Sequence, residues 1–147
     1  MAEIQGKREE EEEATLAELR YLHRTYMERY SLVMEEIRNV VGENNSLGGA
    51  AVVLGNIENA SNHETLIGVG PGIYLKGLIE NPDTVMVSVG GGYIVEKGVE
   101  DAKKFVEGWI ERHNKEANAL MKEREELEGA IMDISYRIGK AQEELHV

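Results

Sequence analysis

Four histidines, His23, His63, His113 and His146, are the residues best suited to metal ligation or proton transfer in this chain. None stands in an H-E-x-x-H or comparable spacing, so they do not converge on a zinc site of the helical kind. Carboxylates are abundant, 28 Asp and Glu in all. On charged helix surfaces an acid pair arises by accident, so abundance alone does not mark a general acid and base. There is no cysteine, which excludes thiolate nucleophiles, disulfides and thiolate metal sites. No serine motif marks a nucleophile either. Gly68-x-Gly70-x-Gly72 and Gly90-Gly91-Gly92 are the remaining candidates, as phosphate cradles. A cradle needs a strand, a glycine turn and then a helix whose first amides meet the phosphate. Each cluster here is followed by another strand-like segment, and no G-K-[ST] is present. They read as tight turns, and the expectation is a protein with no catalytic residues, cofactor or metal.

What remains is apolar surface and how it is arranged. The chain has 147 residues, 41% of them hydrophobic, and a formal net charge of −12. That charge argues against nucleic acid as the main partner, since phosphate binding depends on clustered Lys and Arg. The first 20 residues are rich in Glu and lack an apolar signal core, and no run is long and apolar enough to span a bilayer. The expected location is the cytoplasm, without membrane attachment.

Residues 1–13 form an acidic N-terminal segment that repels itself and is expected to fray. Over 14–60 two interleaved heptad series appear. Leu19, Tyr26, Val33, Val40, Leu47 and Leu54 make one; Leu16, His23, Tyr30, Ile37, Asn44, Ala51 and Glu58 make the other. Alternating steps of three and four put both on one seam, the pattern of a coiled-coil helix. The polar members His23, Asn44 and Glu58 set register or sit where the seam opens, and Gly48-Gly49 marks a bend or a close helix contact.

Residues 61–98 hold the predicted sheet. Four strand-like runs, 65–69, 72–79, 85–89 and 92–97, are punctuated by Gly70-Pro71, Asn81-Pro82-Asp83 and Gly90-Gly91-Gly92, giving two β-hairpins. Residues 99–147 return to helical spacing, with a seam from Val106 and Ile110 through His113, Leu120 and Leu127 to Ile138 and Leu145. Phe105 and Trp109 are expected to pack where sheet meets helices. The fold class is therefore α+β, mainly helical: a long antiparallel coiled coil with two central β-hairpins.

In such a pairing, Leu16, Leu19, Tyr21 and Leu22 lie near the far end of one arm and Ile134, Tyr136, Ile138 and Leu145 near the far end of the other. Together they offer a mobile apolar surface able to hold irregular apolar partners. The same seam residues would equally serve a structural coiled-coil scaffold or filament without clients.

The sequence resembles the α-class subunit family of archaeal prefoldin. The resemblance rests on E-T-L-I-G-V-G-P-G-I-Y-L-K-G at Glu64 to Gly77, V-M-V-S-V-G-G-G-Y-I-V-E-K at Val85 to Lys97, and E-D-A-K-K-F at Glu100 to Phe105. It implies a hexamer of two α-class and four β-class prefoldin subunits, whose hairpins combine into a β-barrel platform. Leu66, Val69, Tyr74, Val85, Val87, Val89, Tyr93 and Val95 would be platform residues. It also implies an ATP-independent chaperone that binds unfolded proteins at its coiled-coil tips and passes them to a group II chaperonin. Two positions depart from the family pattern: Gly68, where proline is common, and Pro71, where Gly or Ala is common.

Overall fold

The computed structural model describes residues 1–146, which divide into two compact units. The first combines Met1–Val40 with the chain from Glu116 onward, and the second is Val41–Lys115. Val147, the last residue of the expected second arm, lies outside the described residues.

Helix α1 spans Ala2–Gly55. The Glu-rich start, read above as prone to fray, is helical from Ala2. Glu, Lys and Arg are strong helix formers, and Lys7 and Arg8 stand four residues before Glu11 and Glu12, where opposite charges are neighbours on a helix. The helix continues through Gly48 and Gly49, because Leu47, Ala51 and Leu54 around them are packed and tertiary burial outweighs weak propensity. The break comes instead at Asn56, whose amide bonds Val53 O at 3.1 Å and whose side chain donates to Val52 O at 2.9 Å. A single turn, α2 (Ile57–Ala60), follows.

In the first unit the segments from α1 and from α3 (Val99–Leu145) run antiparallel. Tyr30 meets Glu128, and Met1 and Ile4 lie beside Glu144 and Leu145. The core is Val33, Ile37, Val40, Ala117, Leu120 and Leu127, with Tyr26, Tyr30, Met34 and Met121 packed around it. All six α1 and α3 core residues fall on the seams that the sequence spacing defines.

In the second unit, Leu54, Ala102 and Val106 form the core, joined by Leu47, Ala51, Ile110 and, from the sheet, Val85 and Val87. Strands β1 (Thr65–Gly70) and β2 (Ile73–Gly77) make one antiparallel hairpin; β3 (Thr84–Gly90) and β4 (Tyr93–Gly98) make the other. The two are separate two-stranded sheets, so the described residues of the single chain close no barrel. β2 stops at Gly77, short of the predicted Ile79, because Ile79 instead bridges Ser61. Each hairpin slips register just before its turn, at Gly68/Gly70 and at Ser88/Gly90. The turns differ in chemistry. Pro71 followed by Gly72 at φ +72° has the residue signature of a type II turn. Gly91 and Gly92, at φ +62° and +79°, supply the two positive φ angles of a type I′ hairpin. The amide of Val99 donates to Asp83 O at 3.0 Å, tying the start of α3 to the hairpin link.

Candidate functional site

Strand parity sorts the hairpin residues into faces. In β3–β4, Val85 and Val87 point with Val95 and Lys97 toward the helices, and Lys97 Nζ lies 5.5 Å from the centre of the Phe105 ring. Phe105 meets Trp109 edge to face at 5.6 Å. Phe105 thus lies at the expected junction of sheet and helix, while Trp109 packs along its own helix between Phe105 and His113. The opposite face carries Met86 and Ile94, both exposed.

β1–β2 is different, because it is apolar on both sides. Leu66 and Tyr74 occupy one face, Ile67 and Leu75 the other, and all four are exposed. Tyr74 lies across Gly68, at 3.8 Å from the Cβ position of that glycine, so its ring covers backbone that the glycine leaves bare. A two-stranded hairpin with both faces in water is marginal on its own. Apolar surface of this kind marks an interaction site.

Of the expected platform residues, Leu66, Val69, Tyr74, Val89, Tyr93 and Val95 are exposed, with Tyr93 the most open at 73%. Val85 and Val87 are half-buried against the helices of their own chain. The exposed Ile67, Ile73, Leu75, Met86 and Ile94 were not singled out by the sequence reading. Strand parity sorts them into faces but does not say which face a helix covers.

The expected client-binding residues lie in the first unit and divide by position. Leu16, Leu19 and Ile134 are buried in the seam. Ile138 and Leu145 are half-buried. Tyr21 and Tyr136 are exposed, at 65% and 64%, and Leu22 is exposed beside Tyr21. Ala17, Glu18, Tyr21 and Leu22 line an open recess of about 490 Å³. Lys140 Nζ sits 5.4 Å from the Tyr136 ring centre, a cation–π distance. Exposed Met132 adds to this outer surface.

The four histidines do not cluster: among the described residues no group of His, Asp and Glu has the arrangement to hold a metal ion. No helix among them is long and apolar enough to cross a membrane.

The family model described as prefoldin subunit matches residues 26–144, both hairpins included. The chain belongs to the prefoldin family. It is 32% identical over 126 residues to prefoldin subunit alpha 1 of Methanocaldococcus jannaschii, covering 80% of this chain and 84% of that protein. It is 37% identical over 84 residues to prefoldin subunit alpha of Pyrococcus horikoshii, covering 54% of this chain. There the chain spans about half the relative's length, 52%. Among solved structures it is similar to a filamentous PFD from M. jannaschii, with a TM-score of 0.63 and 24% identity over 77% of this chain and 94% of that one. The prefoldin match begins after Leu16, Leu19, Tyr21 and Leu22 and ends before Leu145, so five expected client residues lie beyond it.

Proposed function

We propose that this chain is a subunit of an ATP-independent chaperone assembly. The observation that carries this is the hairpin pair of a prefoldin-family chain presenting apolar residues to solvent on three sheet faces. Strand edges and apolar faces of this kind are completed by other subunits. The partners proposed are β-class prefoldin subunits, four to every two of this class. Within the assembly, the ends of the helix pair in the first unit hold unfolded proteins for delivery to a group II chaperonin. Tyr21, Leu22 and Tyr136 are available at once. Ile138 and Leu145 are partly available, and Leu16, Leu19 and Ile134 join when the two segments part. No catalytic step is assigned to this chain.

A second reading, a scaffold or filament without client transfer, is favoured by the likeness to a filamentous PFD. Native mass spectrometry of this chain, alone and with β-class prefoldin subunits, separates the two. A mixed hexamer containing two copies of this chain, which then suppresses aggregation of an unfolded client, supports the chaperone. A growing ladder of copies of this chain alone, unchanged by the partner and inert toward the client, supports the filament.

A further inference from the structure

The second unit contains a polar layer that its apolar seam does not need. Asn44, at a seam position of α1, donates through Nδ2 to Asn114 Oδ1 at 2.7 Å. One residue away on each helix, His113 Nε2 meets Glu43 Oε2 at 3.3 Å. His113 is itself a seam residue and is buried. The hydrogen-bonding potential of the layer is incompletely met: Asn44 Oδ1 and His113 Nδ1 are both buried without a partner. Leucine at either seam position would avoid this cost and fill the seam, so the layer does not serve stability as such.

Its chemistry is directional where the apolar seam is not. A heptad seam looks nearly the same to its partner after a shift of seven residues, since such a shift exchanges Leu47 for Leu54, one leucine of the seam for another. The helix outside the seam does little to oppose such a shift. Gly42, Gly48, Gly49 and Gly55 have open space at the Cβ position and interlock with nothing. Asn44 with Asn114 has no such repeat, because Ile37 and Ala51 stand one heptad to either side of Asn44; for Glu43 with His113 the repeat is missing in the direction that brings Ala50 to His113. Moved by one heptad, Asn44 would meet different groups, and its half-buried amide would lose its partner in the seam while Asn114 stayed exposed. Polar residues in an apolar seam are the best-attested means of fixing alignment at the expense of stability.

We infer that the layer of Asn44, Asn114, His113 and Glu43 is a register lock, which holds these two helix segments in one alignment. The alignment determines which hairpin residues meet the helix core, so the lock also fixes how Val85 and Val87 are seated.

Disulfide trapping tests this directly, because the chain has no cysteine of its own. One double-cysteine protein, Leu47→Cys with Ile110→Cys, reports the observed alignment; Leu54→Cys with Ile110→Cys reports the alignment one heptad away. Each is oxidised in the otherwise unchanged full-length protein and in a protein also carrying Asn44→Leu and His113→Leu. Asn44→Leu alone serves as a second background should the double change fail to fold. The expected result is trapping of the observed alignment only when the layer is intact, and of both alignments, with a raised Tm, when it is replaced. Exclusive trapping of the observed alignment without the layer overturns the inference, because the apolar seam and the connecting hairpins would then suffice.

Discussion

Arg29 holds Glu123 through two parallel hydrogen bonds, Nε to Oε1 at 2.6 Å and Nη2 to Oε2 at 2.9 Å, between the two helix segments of the first unit. The fork geometry is the strong form of the arginine–carboxylate pair. Glu36 also lies within reach of Arg29, at 3.9 Å. Hydrogen bonding from Arg29 holds the Glu123 carboxyl below the usual carboxylate range, and the same bond raises the arginine. The pair is largely exposed, which limits its value through solvent screening.

Arg29→Ala is therefore expected to lower Tm by no more than a few degrees at neutral pH. The sign with pH follows from the depressed carboxyl. Its contribution is complete above the unfolded carboxylate pKa, about 4.3, and disappears as pH falls through the lower folded value. The Tm difference between wild type and Arg29→Ala should shrink to nothing in strong acid, and also shrink at about 1 M salt, where screening acts within about 3 Å. Melting curves by circular dichroism at pH 7 and in acid check this. A difference that persists in acid assigns the loss to packing of the arginine stem.

Val33 offers the contrast, since it is completely buried in the core of the first unit. Val33→Ala removes two methyl groups and leaves space that its neighbours fill only in part, so it is expected to cost about 2 kcal/mol. Denaturant titration with an unchanged m-value would show it. Tyr21→Ala, at an exposed position of the same helix, should stay within about 0.5 kcal/mol.

The seam that makes Val33 decisive was legible in the sequence, because steps of three and four leave few other ways to place Leu19, Val33, Ile37, Leu120 and Leu127. The hairpin turns were legible for a similar reason: proline fixes φ and glycine permits positive φ, and few residues do either. Other features depended on neighbours. The glycines at 48 and 49 argue for an interruption of the helix until Leu47, Ala51 and Leu54 are seen packed. The charge of Glu9 to Glu13 argues for fraying until opposite charges four residues away are counted. Alternation gives two faces to a strand but does not say which one meets a helix, so Val85 and Val87 could not be distinguished from Met86 and Ile94 as the covered pair. The heptads also separate inside from outside at the helix ends: Leu16, Leu19 and Ile134 fall on the seams and are buried, while Tyr21 and Tyr136 fall off them and are exposed.

Glycine substitutions in the hairpins should divide by backbone angle. Gly92 sits at φ +79° with open space around it, so Gly92→Val meets no clash but must adopt a left-handed conformation. A β-branched residue there is expected to cost about 1–3 kcal/mol. At Gly77 the obstacle is instead the Cδ1 methyl of Ile67, 2.7 Å from an added Cβ. That methyl ends a flexible, exposed side chain that can turn away, so Gly77→Ala should be mild. Hydrogen exchange of the β3–β4 amides is expected to accelerate in Gly92→Val, while the β1–β2 amides of Gly77→Ala stay close to wild type. Equal acceleration in both would show that crowding at Gly77 costs as much as the backbone angle at Gly92.

Hairpin residues that contribute to assembly but not to the fold of the chain should be separable by charge. Leu66→Glu and Tyr93→Glu place carboxylates at exposed positions, so the melting of the isolated chain is expected to move little. In a mixture with β-class subunits the same changes should abolish the proposed hexamer, because a carboxylate enclosed in an apolar interface is strongly disfavoured. Val87→Glu should do the reverse, unfolding the junction first, since Val87 packs against the helices of its own chain. Native mass spectrometry with a parallel melt distinguishes these effects. A hexamer that survives both Leu66→Glu and Tyr93→Glu places the assembly surface elsewhere.

Client binding is testable through the same separation of inside from outside. Tyr21 and Tyr136 contribute apolar surface to solvent but little to the core, so Tyr21→Ser with Tyr136→Ser should leave Tm nearly unchanged. If these rings hold clients, aggregation suppression by the assembled complex should fall several-fold. Leu16→Ala with Ile134→Ala opens the seam instead, because both residues are buried. Each truncation of this kind costs about 2–5 kcal/mol, so that variant should melt earlier. Its effect on clients discriminates between two modes of holding. Greater client binding at a temperature where the rest of the complex is intact would mean that the helices part to expose Leu16, Leu19 and Ile134. Unchanged binding would mean that the outer rings alone make the contacts. Full suppression by the double tyrosine variant, with the seam intact, removes the tips of this chain from the client surface altogether.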